Sequence, residues 1–146
     1  LLGPSASGKT HFAYRIAGLD PPAKPEPTTR VDCLTCTAQN TRVTIWDTPA
    51  CFEEHIPALA QSVIEDCAFV IICYDGRREW TPIYVLPHID SEKCLIALTK
   101  ANAYNLPFSF ECFDLVDNNG SLIPIFDCHS SVHKITRYIV RSKCLC

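Results

Sequence analysis

The sequence predicts an α/β fold with three layers, in which helices cover both faces of a mostly parallel sheet. Three observations lead to this fold class. Two continuous apolar runs, Phe69–Tyr74 and Cys94–Leu98, have the composition of strands that are buried on both faces of a parallel sheet. Segments with the apolar spacing of helices alternate with these runs along the chain. A glycine-rich stretch also separates the apolar pair Leu1-Leu2 from a helical pattern, so a strand, a tight loop and a helix are expected there.

Length and composition fit one domain that spans residues 1–146. Of the 146 residues, 47% are apolar and 20% are charged, which is ordinary for a globular domain and argues against a disordered chain. The net charge of −3 provides no positive surface for nucleic acid. No apolar run reaches the roughly 20 residues of a membrane-spanning helix. Because the chain starts at Leu1 rather than at Met, we expect the true N-terminus and most of the first strand to lie outside this sequence.

The glycine-rich stretch at residues 3–10, GPSASGKT, matches the P-loop pattern G-x-x-x-x-G-K-S/T. Its glycines stand where a backbone that wraps around a phosphate has no room for a side chain. Lys9 provides a cation for the phosphates, and Thr10 provides a hydroxyl for Mg²⁺. A helix from about Gly8 to Ala17 follows, with Gly18 as its stop, so its positive N-terminal end faces the same anion. The residues predicted to bind phosphate here are Ser5, Ala6, Ser7, Gly8, Lys9, Thr10 and His11.

The ten cysteines are expected to be reduced, because a loop for nucleoside triphosphates belongs in the cytoplasm. Several of them lie within apolar segments, where cysteine behaves as a small apolar side chain. Cys33 and Cys36 have the spacing of zinc ligands, but they have no second such pair, and residues three apart on a strand point to opposite faces. Zinc binding by this pair is therefore the alternative, and structural thiols are the expectation.

Two strands before the buried runs, Val31–Thr37 and Arg42–Trp46, are predicted to pair as an antiparallel hairpin through residues 38–41. The proline-rich segment Asp20–Pro27 before them is expected to form an exposed, extended loop. The remaining predicted elements are a helix from about Glu53, a helix at Ser109–Val116, a strand at Leu122–Phe126 and a helix at Ser131–Arg141.

This order of landmarks resembles that of the Ras-like small GTPases, and of their Rab branch in particular, over nearly the whole chain. Four segments carry the resemblance. They are GPSASGKT at residues 3–10, Pro27-Thr28 in the proline-rich loop, Ile45–Thr48, which is similar to the family's WDTAGQE segment, and Thr99–Asn102 at the place of its N-K-x-D motif. The resemblance implies the P-loop NTPase (small G-protein) fold, with one antiparallel hairpin strand in the mostly parallel sheet. It also implies GTP or GDP and Mg²⁺ as cofactors.

The resemblance places three side-chain oxygens around Mg²⁺. Thr10 and Thr28 are expected to offer hydroxyls, with the neighbouring Thr29 as the alternative to Thr28. Asp47 follows an apolar strand and is expected to hold the ion through a water molecule, as the carboxylate of a Walker B strand does. The alternative is that Asp47 only caps the turn that follows it.

The chain departs from the family pattern after Asp47-Thr48, where Pro49-Ala50-Cys51 stands in place of Ala-Gly-Gln. Ala50 can still donate its amide to a γ-phosphate, although it lacks the backbone freedom of glycine. The family's glutamine orients the attacking water, and the thiol of Cys51 does not replace its paired donor and acceptor. We therefore predict slow or absent intrinsic hydrolysis of GTP.

A second departure concerns the base. Asn102 replaces the family's Asp, whose carboxylate accepts two hydrogen bonds from guanine. A side-chain amide has one acceptor oxygen and one donating NH₂ group. One of the two guanine donors would therefore face another donor and form no hydrogen bond with Asn102. The resemblance therefore implies guanine, whereas the amide of Asn102 favours a xanthine-like purine or relaxed selection between purines. The base-binding residues that the resemblance implies are Thr99, Lys100, Asn102, Cys128, His129 and Ser130.

Residues 142–146 form a short cysteine-containing tail. Cys144 and Cys146 resemble the C-x-C end of Rab proteins, which carries two prenyl groups and would hold this chain on the cytosolic face of a membrane. The Rab branch also implies a role in vesicle trafficking. In a chain with ten cysteines, the alternative is that this spacing is accidental.

The leading hypothesis is a divergent small GTPase that acts as a nucleotide-dependent switch or scaffold. Its two switch loops would bind a protein effector or regulator, and a chain locked in one state would be a pseudo-GTPase. One alternative is a P-loop kinase of nucleosides or nucleotides, with Arg77-Arg78 as residues of a lid, although the hairpin is not part of that layout. Another is a nucleotide-free interaction module, against which the intact Lys9-Thr10 argues.

Overall fold

The structure is a computed structural model of the 146-residue chain. It describes residues 1–24, 26–38, 40–50, 67–75, 91–100, 125–127, 132 and 134–139. The helices predicted from about Glu53 and at Ser109–Val116 lie outside these residues. No helix in the described part of the chain has the length and apolar character to cross a membrane.

The first helix, α1, spans Lys9–Ala17 and confirms the prediction from the glycine pattern. Gly8 precedes it with a φ of 88°, and Gly18 follows it with a φ of 73°. Both residues therefore adopt the left-handed backbone that glycine enters without a steric penalty. The Gly18 N–H donates to the Arg15 carbonyl at 3.2 Å, which satisfies one of the free carbonyls at the helix end.

The predicted hairpin is present. Its first strand is shifted by one residue from the predicted bounds, and its second strand is one residue longer at each end. Strand β1 spans Asp32–Ala38 and strand β2 spans Thr41–Asp47. They are antiparallel, and the last pair before the turn is Ala38 with Thr41. The connection is thus two residues long instead of the predicted four. Asn40 takes a φ of 64° in this turn, a conformation that asparagine tolerates better than most residues.

The two apolar runs form the buried strands that they predicted. Strand β3 spans Val70–Asp75 and strand β4 spans Cys94–Thr99, and every residue of both strands is buried. A 3₁₀ turn at Ser91–Lys93 leads into β4. Strand β5 spans Ile125–Asp127, within and one residue beyond the strand predicted at Leu122–Phe126. The order is β3-β4-β5 and all pairs are parallel.

Leu1 and Leu2 join the hairpin to this parallel sheet. Leu2 forms a parallel bridge with Ile72, in which its N–H donates to the Ile71 carbonyl at 2.9 Å. On its other side, the Leu1 nitrogen donates to the Trp46 carbonyl at 2.5 Å. Among the described residues, the strands therefore form a two-stranded and a three-stranded sheet, linked by these two leucines, where one continuous mixed sheet was predicted.

Among the described residues, one hydrophobic cluster lies between the parallel sheet and two helical segments. Phe12 of α1 and Ile135 of the helical segment 134–139 pack there with the inward residues of the sheet. Tyr138 of the same segment meets the ring of Phe69 edge-on, with 5.9 Å between the ring centres. The buried residues that form this cluster are Phe12, Ile71, Cys73, Leu95, Ala97 and Ile135.

Candidate phosphate-binding site

The loop at residues 3–8 runs from the end of the Leu1-Leu2 pair to the start of α1. A Cβ at Gly3 would collide with the Cys73 carbonyl oxygen, so only glycine permits this close passage of the loop over β3. Gly3 also has a φ of 140°. The Ser7 N–H donates to the Pro4 carbonyl at 3.1 Å and closes the turn. The glycine at the start of the motif is therefore required by packing against the sheet.

Lys9 is buried at the base of this loop, with 6% of its surface exposed. Its ammonium donates to the Gly3 carbonyl at 2.5 Å and to the Pro4 carbonyl at 3.0 Å. These bonds hold the positive charge beside the main-chain N–H groups at the start of α1. Gly8 gives the helix no side-chain cap. The first turn of the helix and the ammonium therefore form an electropositive cradle that suits an anion.

Three oxygen-bearing side chains converge beside the first turn of α1. The Thr10 hydroxyl donates to Asp47 Oδ2 at 2.6 Å and lies 3.1 Å from the Thr28 hydroxyl. Asp47 is 2% exposed, and its other oxygen, Oδ1, is buried without a hydrogen-bond partner. A buried carboxylate oxygen is costly when nothing satisfies it. Two hydroxyls and such a carboxylate fit a hard cation like Mg²⁺.

The structure places Thr28, and not Thr29, against Thr10. Of the two threonines considered for the second Mg²⁺ hydroxyl, Thr28 is therefore the one that lies beside Thr10. Within the described ranges, no group of three or more His, Cys, Asp and Glu side chains is placed to hold a metal ion. Cys33 is exposed and Cys36 lies half-buried with its thiol directed to the Ile16 carbonyl, so the C-x-x-C pair does not converge on one point.

The end of β4 is fastened to the underside of the same loop. The Thr99 hydroxyl contacts the Ser7 carbonyl oxygen and also lies 3.0 Å from the Tyr74 carbonyl oxygen. Lys100 turns back with a φ of 56°, and its ammonium donates to the Ala6 carbonyl. It lies 3.4 Å from Asp75 Oδ2. The predicted base-binding pair is therefore anchored on the phosphate-binding loop.

A cavity of about 260 Å³ opens above the N-terminus of α1. It brings together every residue that the sequence predicted for phosphate binding, including Ala50, and adds Thr28 and Lys100. Glu26 and Pro27 complete its wall. No sequence pattern singled out Glu26, since an exposed acidic residue in a proline-rich loop is ordinary. The lining residues are Ser5, Ala6, Ser7, Gly8, Lys9, Thr10, His11, Glu26, Pro27, Thr28, Ala50 and Lys100.

The other residues that the sequence singled out fall in parts of the chain outside the described residues. They are Cys51 at the position of the family's glutamine, Asn102, Cys128, His129 and Ser130 of the base site, and Cys144 and Cys146 of the tail.

The loop at residues 3–8 joins the Leu1-Leu2 pair to α1 beside a parallel sheet, and Thr10 contacts Asp47 at the end of β2. This is the arrangement of the P-loop GTPase fold. Two solved structures share it. A bacterial selenocysteine-specific elongation factor, EF-Sec, aligns over 99% of this chain with a TM-score of 0.65 and 17% identity. The Arl6 BBS3 small GTPase from Trypanosoma brucei, solved with the nucleotide analogue GppNp, aligns over 97% of this chain with a TM-score of 0.53 and 15% identity.

The chain spans 28% of the elongation factor's length and 93% of the Arl6 chain. No protein-family model matches the sequence, and no curated protein matches it. At these levels of identity, the likeness establishes the fold and leaves the chemistry to the residues of the site.

Proposed function

We propose that this chain is a divergent Ras-like GTPase domain, spanning residues 1–146, that binds a purine nucleotide with Mg²⁺. One observation carries the proposal. The cavity above α1 is walled by residues 5–10 of the P-loop, and the Thr10 hydroxyl bonds Asp47 at 2.6 Å. The similarity in fold to the elongation factor EF-Sec and to the Arl6 small GTPase supports it.

The residues of the loop bind the phosphates in this proposal. Main-chain N–H groups at the start of α1 donate to phosphate oxygens, and Lys9 supplies a positive charge from below. Thr10 and Thr28 would offer hydroxyls to Mg²⁺, and Asp47 would help to hold it through a water molecule. Mg²⁺, when bound, neutralises part of the phosphate charge. The unsatisfied Asp47 Oδ1 is the oxygen that such an arrangement would use.

The proposed role is that of a nucleotide-dependent switch or scaffold. Thr28 on the proline-rich loop and Ala50 after β2 both line the cavity, so both loops would sense a γ-phosphate and present a changed surface to a protein partner. Cys51 lacks the paired amide donor and acceptor that orients an attacking water, so intrinsic hydrolysis is slow or absent. Single-turnover hydrolysis at the rate of ordinary Ras-like proteins would contradict this part. The Cys51→Gln variant should be the faster of the two.

The proposal for the base rests on Lys100 and Asn102. Lys100 lies in the cavity wall, where its aliphatic stem would support a purine ring. With Asn102 in place of the family's aspartate, we propose relaxed selection between guanine and xanthine nucleotides. The Rab-type role in vesicle trafficking and the double prenylation at Cys144 and Cys146 belong to this proposal as well. Isoprenoid labelling of the full chain and of the Cys144→Ser/Cys146→Ser variant would test them.

The decisive experiment is identification of the nucleotide that co-purifies with the chain, followed by titration of that nucleotide with Mg²⁺. Replacing Lys9 with Ala should lower affinity about a hundredfold or more, because a buried charge-assisted contact to phosphate is lost. Lys24→Ala removes an exposed lysine and is the matched control. If Lys9→Ala retains its nucleotide, the binding site lies elsewhere. Transfer of phosphate from the triphosphate to an added nucleoside would instead indicate a P-loop kinase.

A further inference from the structure

Asp75 is a buried carboxylate at the end of a central strand. It is the last residue of β3, it is 2% exposed, and the parallel register sets it opposite Thr99 of β4. A carboxylate in such a position is costly unless charged or polar groups face it. Asp75 contributes neither to the P-loop motif nor to the group around Thr10.

Lys100 provides a cation for this carboxylate. Its ammonium lies 3.4 Å from Asp75 Oδ2 and also donates to the Ala6 carbonyl of the phosphate-binding loop. The Lys100 backbone takes a φ of 56°, which turns the chain sharply after β4 and is unfavourable for a long side chain. The two contacts of the ammonium, with Asp75 and with the Ala6 carbonyl, therefore fix a side chain that would otherwise populate many rotamers.

We infer that Asp75 is a positioning residue for purine binding, which acts by holding Lys100 across the phosphate-binding loop. This inference rests on the proposed function and names a determinant of the base end of that site. With its ammonium held between Asp75 and Ala6, the stem of Lys100 forms a fixed part of the cavity wall. A purine gains from a wall that is already in place, because no side chain has to be ordered when it binds.

The consequence is a division of the site into two parts. The phosphates meet the N–H groups of α1 and Lys9, whose ammonium donates to the Gly3 and Pro4 carbonyls. The base meets Lys100, whose ammonium lies beside Asp75. Loss of the Asp75 charge should therefore weaken a nucleotide more than a phosphate chain that carries no base.

The test compares Asp75→Asn with the unaltered chain in binding to GTP, XTP and inorganic tripolyphosphate, each with Mg²⁺. We expect the affinity for the nucleotides to fall about tenfold, the effect of losing one charge-assisted contact, and the affinity for tripolyphosphate to change less than about twofold. Asp20→Asn is the matched control, because Asp20 is exposed and follows the C-terminal end of α1, at the other end of the helix from the loop. Equal losses for all three ligands, or no loss for any, would overturn the role of Asp75.

A double-mutant cycle with Lys100→Met checks that Asp75 acts through Lys100. If it does, Asp75→Asn lowers nucleotide affinity no further once Lys100 is gone. The melting temperature gives a second measurement without ligand. Lys100→Met alone removes the cation beside the buried Asp75 carboxylate and should lower it, and adding Asp75→Asn, which removes the charge facing that cation, should lower it no further. A further drop in the double variant would show that the two residues act independently.

These outcomes separate the inference from the proposed function. If the unaltered chain binds tripolyphosphate and the nucleotides equally, the site accepts phosphate but has no base end, and the role of Asp75 is overturned alone. If the unaltered chain binds none of the three ligands, the proposed function fails together with it.

Discussion

The hydroxyl of Thr10 donates a hydrogen bond of 2.6 Å to the carboxylate of Asp47 and so ties the first turn of α1 to the end of β2. The two residues are 37 positions apart in the chain. The bond satisfies Asp47 Oδ2, while Asp47 Oδ1 is buried without a partner. Strand β2 thus places one carboxylate oxygen without a hydrogen-bond partner beside the first turn of α1.

Replacing Asp47 with Asn should make nucleotide binding insensitive to Mg²⁺. Asparagine has the same shape and still accepts a bond from Thr10, but it has no charge to offer the ion or its water. We expect the affinity for nucleotide in Mg²⁺ to fall about ten- to a hundredfold, as for the loss of one charged contact, and the affinity in EDTA to stay the same. Titration of nucleotide with and without the metal checks this. Asp20→Asn, at an exposed position beyond the C-terminal end of α1, should behave as the unaltered chain, and an equal drop in EDTA would contradict the metal role.

Replacing Gly8 with Ala should damage the loop for two separable reasons. Its φ of 88° is strained for any residue with a Cβ, and that Cβ would lie 3.2 Å from Thr99 Cβ. Gly18→Ala is the control, since Gly18 has a similar φ of 73° but no atom within 4 Å of an added Cβ. Both variants lose about 1 kcal/mol in the free energy of unfolding from the backbone alone.

The difference between these two glycine variants measures the contact with Thr99. Gly8→Ala should be less stable than Gly18→Ala, because its Cβ would lie 3.2 Å from Thr99 Cβ and 3.3 Å from the Thr99 hydroxyl oxygen. The unaltered chain is the reference for both. Chemical denaturation of the three proteins gives the comparison. Equal stabilities of Gly8→Ala and Gly18→Ala would show that the loop moves away from β4 without cost.

Thr99 should matter through its hydroxyl. Thr99→Val keeps the branched shape but removes the buried hydroxyl that contacts the Ser7 carbonyl oxygen. We expect the free energy of unfolding to drop by about 1–3 kcal/mol, the cost of unsatisfied buried polar groups. Thr35→Val, at an exposed position of β1, should change it by less than about 0.5 kcal/mol. A similar small effect at Thr99 would mean that water replaces its hydroxyl.

The sequence predicted the elements that end at strong local signals. Helix α1 lies between two glycines, and strands β3 and β4 are uninterrupted apolar runs, so their positions follow from local chemistry. Asp47 shows where such reasoning stops. A charged residue ordinarily ends a strand, yet β2 includes Asp47, which pairs with Asp32 in the hairpin and accepts a hydrogen bond from Thr10 in another part of the chain.

The residues of the candidate site were also predictable only in part from local sequence patterns. The P-loop could be found from spacing alone, whereas the approach of Thr28 to Thr10 was expected only from the resemblance to small GTPases. The contact between Asp75 and Lys100 was not expected at all. It depends on the register of β3 against β4, which sets Asp75 beside Thr99, and no local pattern specifies that register.

The last prediction concerns alkaline pH. Burial raises the pKa of Cys73 and of Cys94 from 9.0 to about 12 each, because a thiolate is poorly solvated among apolar side chains. The unfolded chain therefore releases these protons near pH 9, while the folded chain keeps them. Their contribution to stability is complete below pH 9 and is lost as the pH rises from 9 towards 12. For each thiol, the free energy of unfolding should fall by about 1.4 kcal/mol per pH unit in that window.

Urea unfolding at several pH values between about 8 and 11 measures this slope, which carries contributions from every group that titrates there. Cys94→Ala should therefore have a shallower slope than the unaltered chain, by the share of one thiol, whatever its stability at neutral pH. Cys33→Ala removes an exposed thiol and should leave the slope unchanged. An identical slope in all three proteins would mean that Cys94 ionises equally in the folded and unfolded states, which its complete burial in β4 argues against.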